Sequence, residues 1–260
     1  MALNAIRGAL GFLTRLRVRH SEAAWTAFRA SPWAFTLAGY VVGALAALPF
    51  ALQTVRLPFA PKSVQVPPEP AAFAYLVVVF AVTGINHLDG VADVGDAAVV
   101  HGGFDDRRAV LKDTVVGVGA VAAVGLTLLG LALGALGVAR LPVVAGVAVV
   151  VAAEIGAKAG MAAVACLGTA AHDGLGSQFT ERASGRNLLA VGLVTAPALV
   201  LSWPSPAAAG ALAGSVAAGL AALAWLTRLL GGVNGDVFGV VNEVGRVAGL
   251  HVGVIAWTLS

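Results

Sequence analysis

Residues 142–167, PVVAGVAVVVAAEIGAKAGMAAVACL, decide the fold class, because the stretch is long enough to cross a bilayer and carries only two charges, Glu154 and Lys158. About 20 apolar residues suffice for one helical crossing. The two charges stand four residues apart, where an i, i+4 pair on one helix face neutralises itself inside a bundle. Working outward, the same apolar texture recurs at 33–54, 71–88, 114–138, 188–203 and 207–230, with a weaker segment at 237–259. Over the whole chain of 260 residues, 59% are hydrophobic and only 11% charged, with a mean hydropathy of +0.91. An ordinary soluble domain is about 25% charged. The reading is an all-α, polytopic membrane helix bundle with about seven transmembrane helices, one integral membrane domain over residues 1–260.

Between the apolar segments, Pro58, Pro61, Pro67, Pro68 and Pro70 mark a loop, and residues 202–206 (SWPSP) mark a tight turn with an interfacial aromatic. The first 30 residues hold Arg7, Arg15, Arg17, Arg19 and Arg29, too many charges for a cleavable signal peptide. Leu3, Ile6, Leu10 and Leu13 recur there at helical spacing, which predicts an N-terminal interfacial helix on the bilayer. The 33 glycines spread through the apolar segments suit close helix packing in lipid.

The charge distribution sets an expected orientation. Cations gather in the N-terminal arm, at Arg107, Arg108 and Lys112, and at Arg182 and Arg186, whereas the alternate loops hold only Arg56, Lys62 and Arg140. The positive-inside rule then predicts a cell-membrane protein with a cytoplasmic N-terminus, an outward C-terminus and every acidic motif on the cytoplasmic face. A net charge of +3 without basic patches argues against nucleic acid as a partner, and Cys166 alone supports neither a disulfide framework nor a cysteine metal cluster.

Chemistry is concentrated in residues 86–96, NHLDGVADVGD. On a helix Asp89, Asp93 and Asp96 fall within roughly 60° of one another, so they aim at one region. Like charges so close are unfavourable unless a cation or a proton stands between them. Hard oxygen ligands of this kind suit Mg²⁺ or Mn²⁺. His87 beside them reads as a ligand, a base or an interfacial polar residue. Next come Asp105, Asp106, Arg107, Arg108, Lys112 and Asp113, whose cations suit phosphate oxygens. A second cluster is residues 231–236, GGVNGD, followed by Glu243, where glycine backbone can approach an anion or ligand closely. A third is residues 172–177, HDGLGS, after Lys158. Aspartates, cations and glycines on one face of a helical bundle describe a site for diphosphate esters, and hence a membrane phosphotransferase that works by positioning and charge stabilisation.

At these residues the chain resembles the cobalamin synthase family, the adenosylcobinamide-GDP ribazoletransferases. The resemblance is carried by 87–93 (HLDGVAD), by 107–114 (RRAVLKDT) with Gly117, and by 12–16 (FLTRL). It continues through 174–176 (GLG) with Phe179, and through Gly231, Gly232, Gly235, Asp236, Gly239 and Glu243. Thr114, Val115, Asn234 and Lys158 depart from the family's usual serine, arginine, threonine and arginine. The resemblance implies transfer of the adenosylcobinamide phosphoryl group from adenosylcobinamide-GDP to α-ribazole or α-ribazole 5′-phosphate with release of GMP, a late step of nucleotide-loop assembly. It implies Mg²⁺ held by Asp89, Asp93 and Asp96, with Asp236 completing the shell or binding ribose. Arg107, Arg108 and Lys112 would hold phosphates, Asp113 would orient Lys112, and Asp96 is the candidate general base. His87, Lys158, Gly174, Gly176, Gly232, Asn234, Gly235 and Glu243 complete the expected substrate-binding set, with homo-oligomers left open. Two alternatives are a CDP-alcohol phosphotransferase-like lipid enzyme, whose aspartate motif does not continue past Asp93 here, and a small-solute or ion transporter, whose internal repeat is not visible.

Overall fold

The computed structural model describes residues 1–19, 21–55, 64–111, 113 and 115–260, and among these the chain is almost entirely helical. Two short helices come first, α1 (Ala2–Leu13) and α2 (Glu22–Arg29), followed by α3 (Trp33–Ala46) and the single turn α4 (Leu48–Ala51). A two-residue antiparallel ladder, Thr54–Val55 against Val64–Gln65, leads into α5 (Pro68–Thr83), α6 (Asn86–Val99) and α7 (Phe104–Val110). Then follow α8 (Val118–Val138), α9 (Val143–Leu167), α10 (Leu175–Thr180), α11 (Leu188–Thr195), α12 (Ala207–Leu230) and α13 (Gly235–Trp257).

The apolar stretch at 142–167 becomes α9, the axis of the bundle. α9 is enclosed by α3, α12 and α13, and its buried residues run nearly unbroken from Ala145 to Cys166. Apart from Glu154 and Lys158 it is apolar all round, as suits a helix surrounded by other helices.

Four helices, α8, α9, α12 and α13, are long and apolar enough to cross a membrane; α5 with α6, bent by 96° at a short break, is either a broken fifth span or a re-entrant loop. The expected seven is therefore too many among the described residues. α3 has 14 residues, about 21 Å at 1.5 Å per residue, against about 30 Å of hydrocarbon. The apolar run after residue 188 is broken by Pro197, which ends α11 and tightens the chain into a 3₁₀ turn over Ala196–Val200. Pro68 opens α5 at its first turn, where its missing N–H costs no hydrogen bond, so the helix starts earlier than the prolines suggest.

The two ends of the bundle differ. At one end lie Gln53, whose Nε2 donates to the Ala139 carbonyl at 2.9 Å, the Trp203–Pro204 turn and the C-terminus. At the other lie α1, α2, α6, α7, α10 and the start of α13, so the acidic motifs do share one end. There Phe12, Trp25, Phe28, Phe35, Phe179 and Phe238 form one aromatic cluster that ties α1 and α2 to α3, α10 and α13, with ring centroids 4.6–6.0 Å apart. α1 buries its small face, Ala5, Gly8 and Ala9, together with Leu13, and leaves Leu3 60% exposed, so of the four predicted apolar positions only Leu13 enters the core.

Candidate active site

α6 begins where Gly84, at φ +74°, ends α5 and lets the chain turn. It then runs across the starts of α13 and α8. Close approach makes this crossing possible. A Cβ on Gly90 would lie 2.9 Å from Asp236 Cα, and one on Gly239 would lie 2.8 Å from the His87 carbonyl oxygen, so both contacts require glycine. The α6 aspartates are thereby set beside the first turn of α13.

Asp89 is exposed and Asp93 half-buried, and among the described residues neither carboxylate has a hydrogen-bond partner. Asp93 lies in the field of Asp89 and Asp96, and Asp236 in that of Asp93 and Asp89. Burial and like-charged neighbours both penalise ionised Asp93, a penalty that a bound cation relieves. Asp236 is steadied by Asn234, whose Nδ2 donates to Asp236 Oδ2 at 2.8 Å while its Oδ1 accepts from the Val237 N–H at 3.1 Å. Asn234 is thus the N-cap of α13.

Asp96 has another task than the one expected of it. Its two oxygens accept from the backbone N–H groups of Gly117 (2.7 Å) and Ala120 (2.8 Å), which caps the start of α8. Each Asp96 oxygen is thus already engaged by one backbone donor. Asp89 and Asp93, with Asp236 beside them, are the carboxylates without such backbone bonds among the described residues. Among the described residues no group of three or more Asp, Glu, His or Cys side chains is arranged to hold a metal ion by itself. The donor set still suits Mg²⁺, which takes one or two carboxylates and fills its shell with water and substrate phosphate.

The arginines also turn inward. Arg107 Nη1 donates to the Leu229 carbonyl at 3.3 Å, and Arg108 donates from Nε to Leu230 O (2.9 Å) and from Nη2 to Gly231 O (3.3 Å). They close the C-terminus of α12, where cations complement unpaired carbonyls. Among the described residues Arg107 Nε is buried without a partner. Asp113 accepts from the Val115 N–H at 3.1 Å in a local turn, and Lys112 and Thr114 lie outside the described residues, as do Arg56 and Lys62.

Two glycine-rich loops prove to be one structure. Val233 N–H donates to Thr169 O (2.8 Å) and Ala171 N–H to Val233 O (2.9 Å), a short parallel bridge. Gly232 and Gly176 sit where a side chain would strike the facing backbone, and Gly174 N–H is taken by Ser177 Oγ at 3.0 Å. These three glycines shape the clasp between loops. Gly235, the first residue of α13, does line a cavity of about 180 Å³, together with Asp236, His87, Asn86 and Phe12.

Lys158 and Glu243, also expected to meet substrate, are instead buried in the bundle. Lys158 Nζ donates to Asn242 Oδ1 (2.6 Å) and Glu154 Oε2 (3.4 Å). Arg246 Nη1 donates to both oxygens of Glu243 (2.6 and 2.7 Å), and its Nε and Nη2 bind Glu154. Two carboxylates and two cations cancel, the arrangement that makes buried charge tolerable among apolar helices. Asn242 Nδ2 reaches His87 Nδ1 at 3.2 Å, with Glu243 3.8 Å away, so His87 links this network to the cavity that Asp236 lines.

A sequence profile described as cobalamin-5-phosphate synthase matches residues 5–254. The chain belongs to this family. An adenosylcobinamide-GDP ribazoletransferase of Halorubrum lacusprofundi is 49% identical over 99% of this chain and 99% of its own length. The protein of that name from Halobacterium salinarum is 66% identical over 75% of this chain and 98% of its length, and that of Methanocella arvoryzae 32% over 98% and 97%. No solved structure matches. Family membership sets aside both the lipid phosphotransferase and the transporter.

Sequence reasoning passed over Asn242 and Arg246. The available signal was the run NEVGR at 242–246 in a mostly apolar helix: three strongly polar groups on one helical stripe, each needing a partner, with the Glu154–Lys158 pair of α9 the buried charge at hand.

Proposed function

We propose that this family member is a membrane-bound transferase that moves the adenosylcobinamide phosphoryl group from adenosylcobinamide-GDP to a ribose hydroxyl of α-ribazole or α-ribazole 5′-phosphate and releases GMP. Relatives matching the chain nearly end to end carry the name of this activity. The observation that carries the site is the crossing of α6 over α13 at Gly90, which sets Asp89 and Asp93 beside Asp236 at the rim of a cavity.

A Mg²⁺ ion held by Asp89 and Asp93 would neutralise the diphosphate and its leaving group. Asp236 and His87 flank the space where an acceptor hydroxyl can sit, and Asp236, steadied by Asn234, is placed to take its proton. The oxygen so freed forms the new bond to the cobinamide-side phosphorus as the bond to the GMP oxygen breaks. Arg107 and Arg108 hold the 231–236 loop in place through the end of α12. Lys112 is the cation we assign to the phosphates.

The acidic end is cytoplasmic in this reading. Arg7, Arg15, Arg17, Arg19, Arg29, Arg107 and Arg108 gather there, while Arg140 stands at the opposite end. A soluble nucleotide conjugate can then reach the aspartates from the cytoplasm. Purified protein supplied with adenosylcobinamide-GDP, α-ribazole and Mg²⁺ should yield stoichiometric GMP and a cobalamin product. Absence of both from active-fold protein overturns the proposal.

A further inference from the structure

Next to the cavity at Asp236 lies a larger one of about 570 Å³, formed where α1 and α2 meet the start of α6. Its volume is within the range of about 300–1,000 Å³ typical of small-molecule sites. The wall combines aromatic surface from Phe12 and Trp25 with polar groups from Arg7, Ser21, Glu22 and Asn86. Phe12 and Trp25 have ring centroids 5.3 Å apart, and the Arg29 guanidinium lies over the indole at 5.3 Å, so Trp25 is held in place before any ligand arrives. Phe12 keeps 37% of its surface open. One cation and one anion, Arg7 and Glu22, leave the lining without net charge.

Phe12 and Asn86 belong to both cavities, so the large space and the one holding Asp236 and His87 share a wall. A ligand with a flat, uncharged ring and a sugar fits this pair: the ring against the aromatic wall, the sugar past Asn86 toward Asp236. The charged diphosphate of the donor matches the aspartate side of α6 instead, where a cation can be held.

Resting on the transferase reading above, we propose that the α1–α2 cavity is the acceptor subsite, and that Phe12 and Trp25 bind the heteroaromatic base of the riboside. This gives the N-terminal helix pair a role in substrate recognition beyond its place on the bilayer.

The test measures KM separately for α-ribazole, α-ribazole 5′-phosphate and adenosylcobinamide-GDP in wild type, Phe12→Ala, Trp25→Ala and Trp25→Phe. Equilibrium dialysis of α-ribazole with the same proteins runs alongside. Phe12 and Trp25 also pack in the aromatic cluster, so each variant's thermal midpoint is measured first and KM is compared only among proteins that melt with wild type. Loss of one base–aromatic contact should raise KM for both acceptors about tenfold. The donor's KM should stay within about twofold, and Trp25→Phe should recover most of the loss. Unchanged acceptor KM in both alanine variants, or a parallel rise for the donor, overturns the subsite. So does an effect confined to the 5′-phosphate, which would mean that the pocket reads phosphate. If wild type releases no GMP, the transferase reading falls, and dialysis still decides the pocket. α-Ribazole bound by wild type and lost in Phe12→Ala supports it; no binding to wild type overturns it.

Discussion

Replacing Arg246 by leucine removes one cation from a site where every neighbour is fully buried. Arg246 holds Glu243 through both carboxylate oxygens and Glu154 through Nε and Nη2. In Arg246→Leu, Glu154 keeps Lys158 at 3.4 Å, but Glu243 is left with the Asn242 amide at 2.9 Å and the imidazole of His87 at 3.8 Å in place of a guanidinium. Stranding one partner of a buried pair costs about 3–5 kcal/mol. At roughly 2–4 °C per kcal/mol for a chain of this size, the thermal midpoint in detergent should fall on the order of 10 °C. Arg246→Leu with Glu243→Leu removes both members and leaves the Glu154–Lys158 pair balanced. Apolar replacement of a whole buried pair is close to neutral or stabilising, so the double variant should melt within a few degrees of wild type. The assay is a thermal unfolding scan of the three purified proteins at one protein and detergent concentration. A single variant that melts like wild type, or a double variant as unstable as the single, would refute charge compensation as the reason these groups are buried together.

Asp96→Asn keeps a side-chain acceptor for the α8 start and should retain most turnover, whereas Asp96→Ala should lower stability by about 1 kcal/mol; a loss of GMP release beyond a hundredfold in the stable Asn variant would restore Asp96 to the chemistry. Arg108→Ala uncovers the carbonyls of Leu230 and Gly231 and should weaken the 231–236 loop, seen as faster amide hydrogen exchange at Val233 and Asn234. Unchanged exchange there would count against a clamp. Gly90→Ala places a Cβ 2.9 Å from Asp236 Cα, forces α6 off α13, and should cut kcat about tenfold or more with little change in the melting of α9 and α12. Normal kcat in that variant would separate the two elements functionally.

Much of this was legible in the sequence, since helix periodicity and hydropathy are local. The α9 segment read as a buried crossing, and Asp89 and Asp93 fell on one face of α6 as their spacing predicted. What escaped was long-range. Asp96 shares the face of Asp93 but bonds to amides 21 and 24 residues away, and no periodicity announces which helix start it caps. Arg107 and Arg108 look like phosphate ligands until α12 returns its C-terminus to them 122 residues later. Pro197 was local and readable, yet the apolar run around it outweighed the break it makes. Glu154 and Lys158 were paired correctly from spacing, but their partners on α13 depended on a helix packing that composition cannot specify.

The central claim is that a divalent cation held by the α6 aspartates carries phosphoryl transfer from adenosylcobinamide-GDP, and Asp93→Asn tests it most directly. The measurement is GMP release as a function of Mg²⁺ concentration in wild type and in Asp93→Asn of matched thermal stability. The account predicts saturable, Mg²⁺-dependent release by wild type and a loss of at least about a hundredfold in the variant, equivalent to about 2.7 kcal/mol of transition-state stabilisation. Equal GMP release by the two proteins, or release by wild type that persists undiminished in excess chelator, would contradict it.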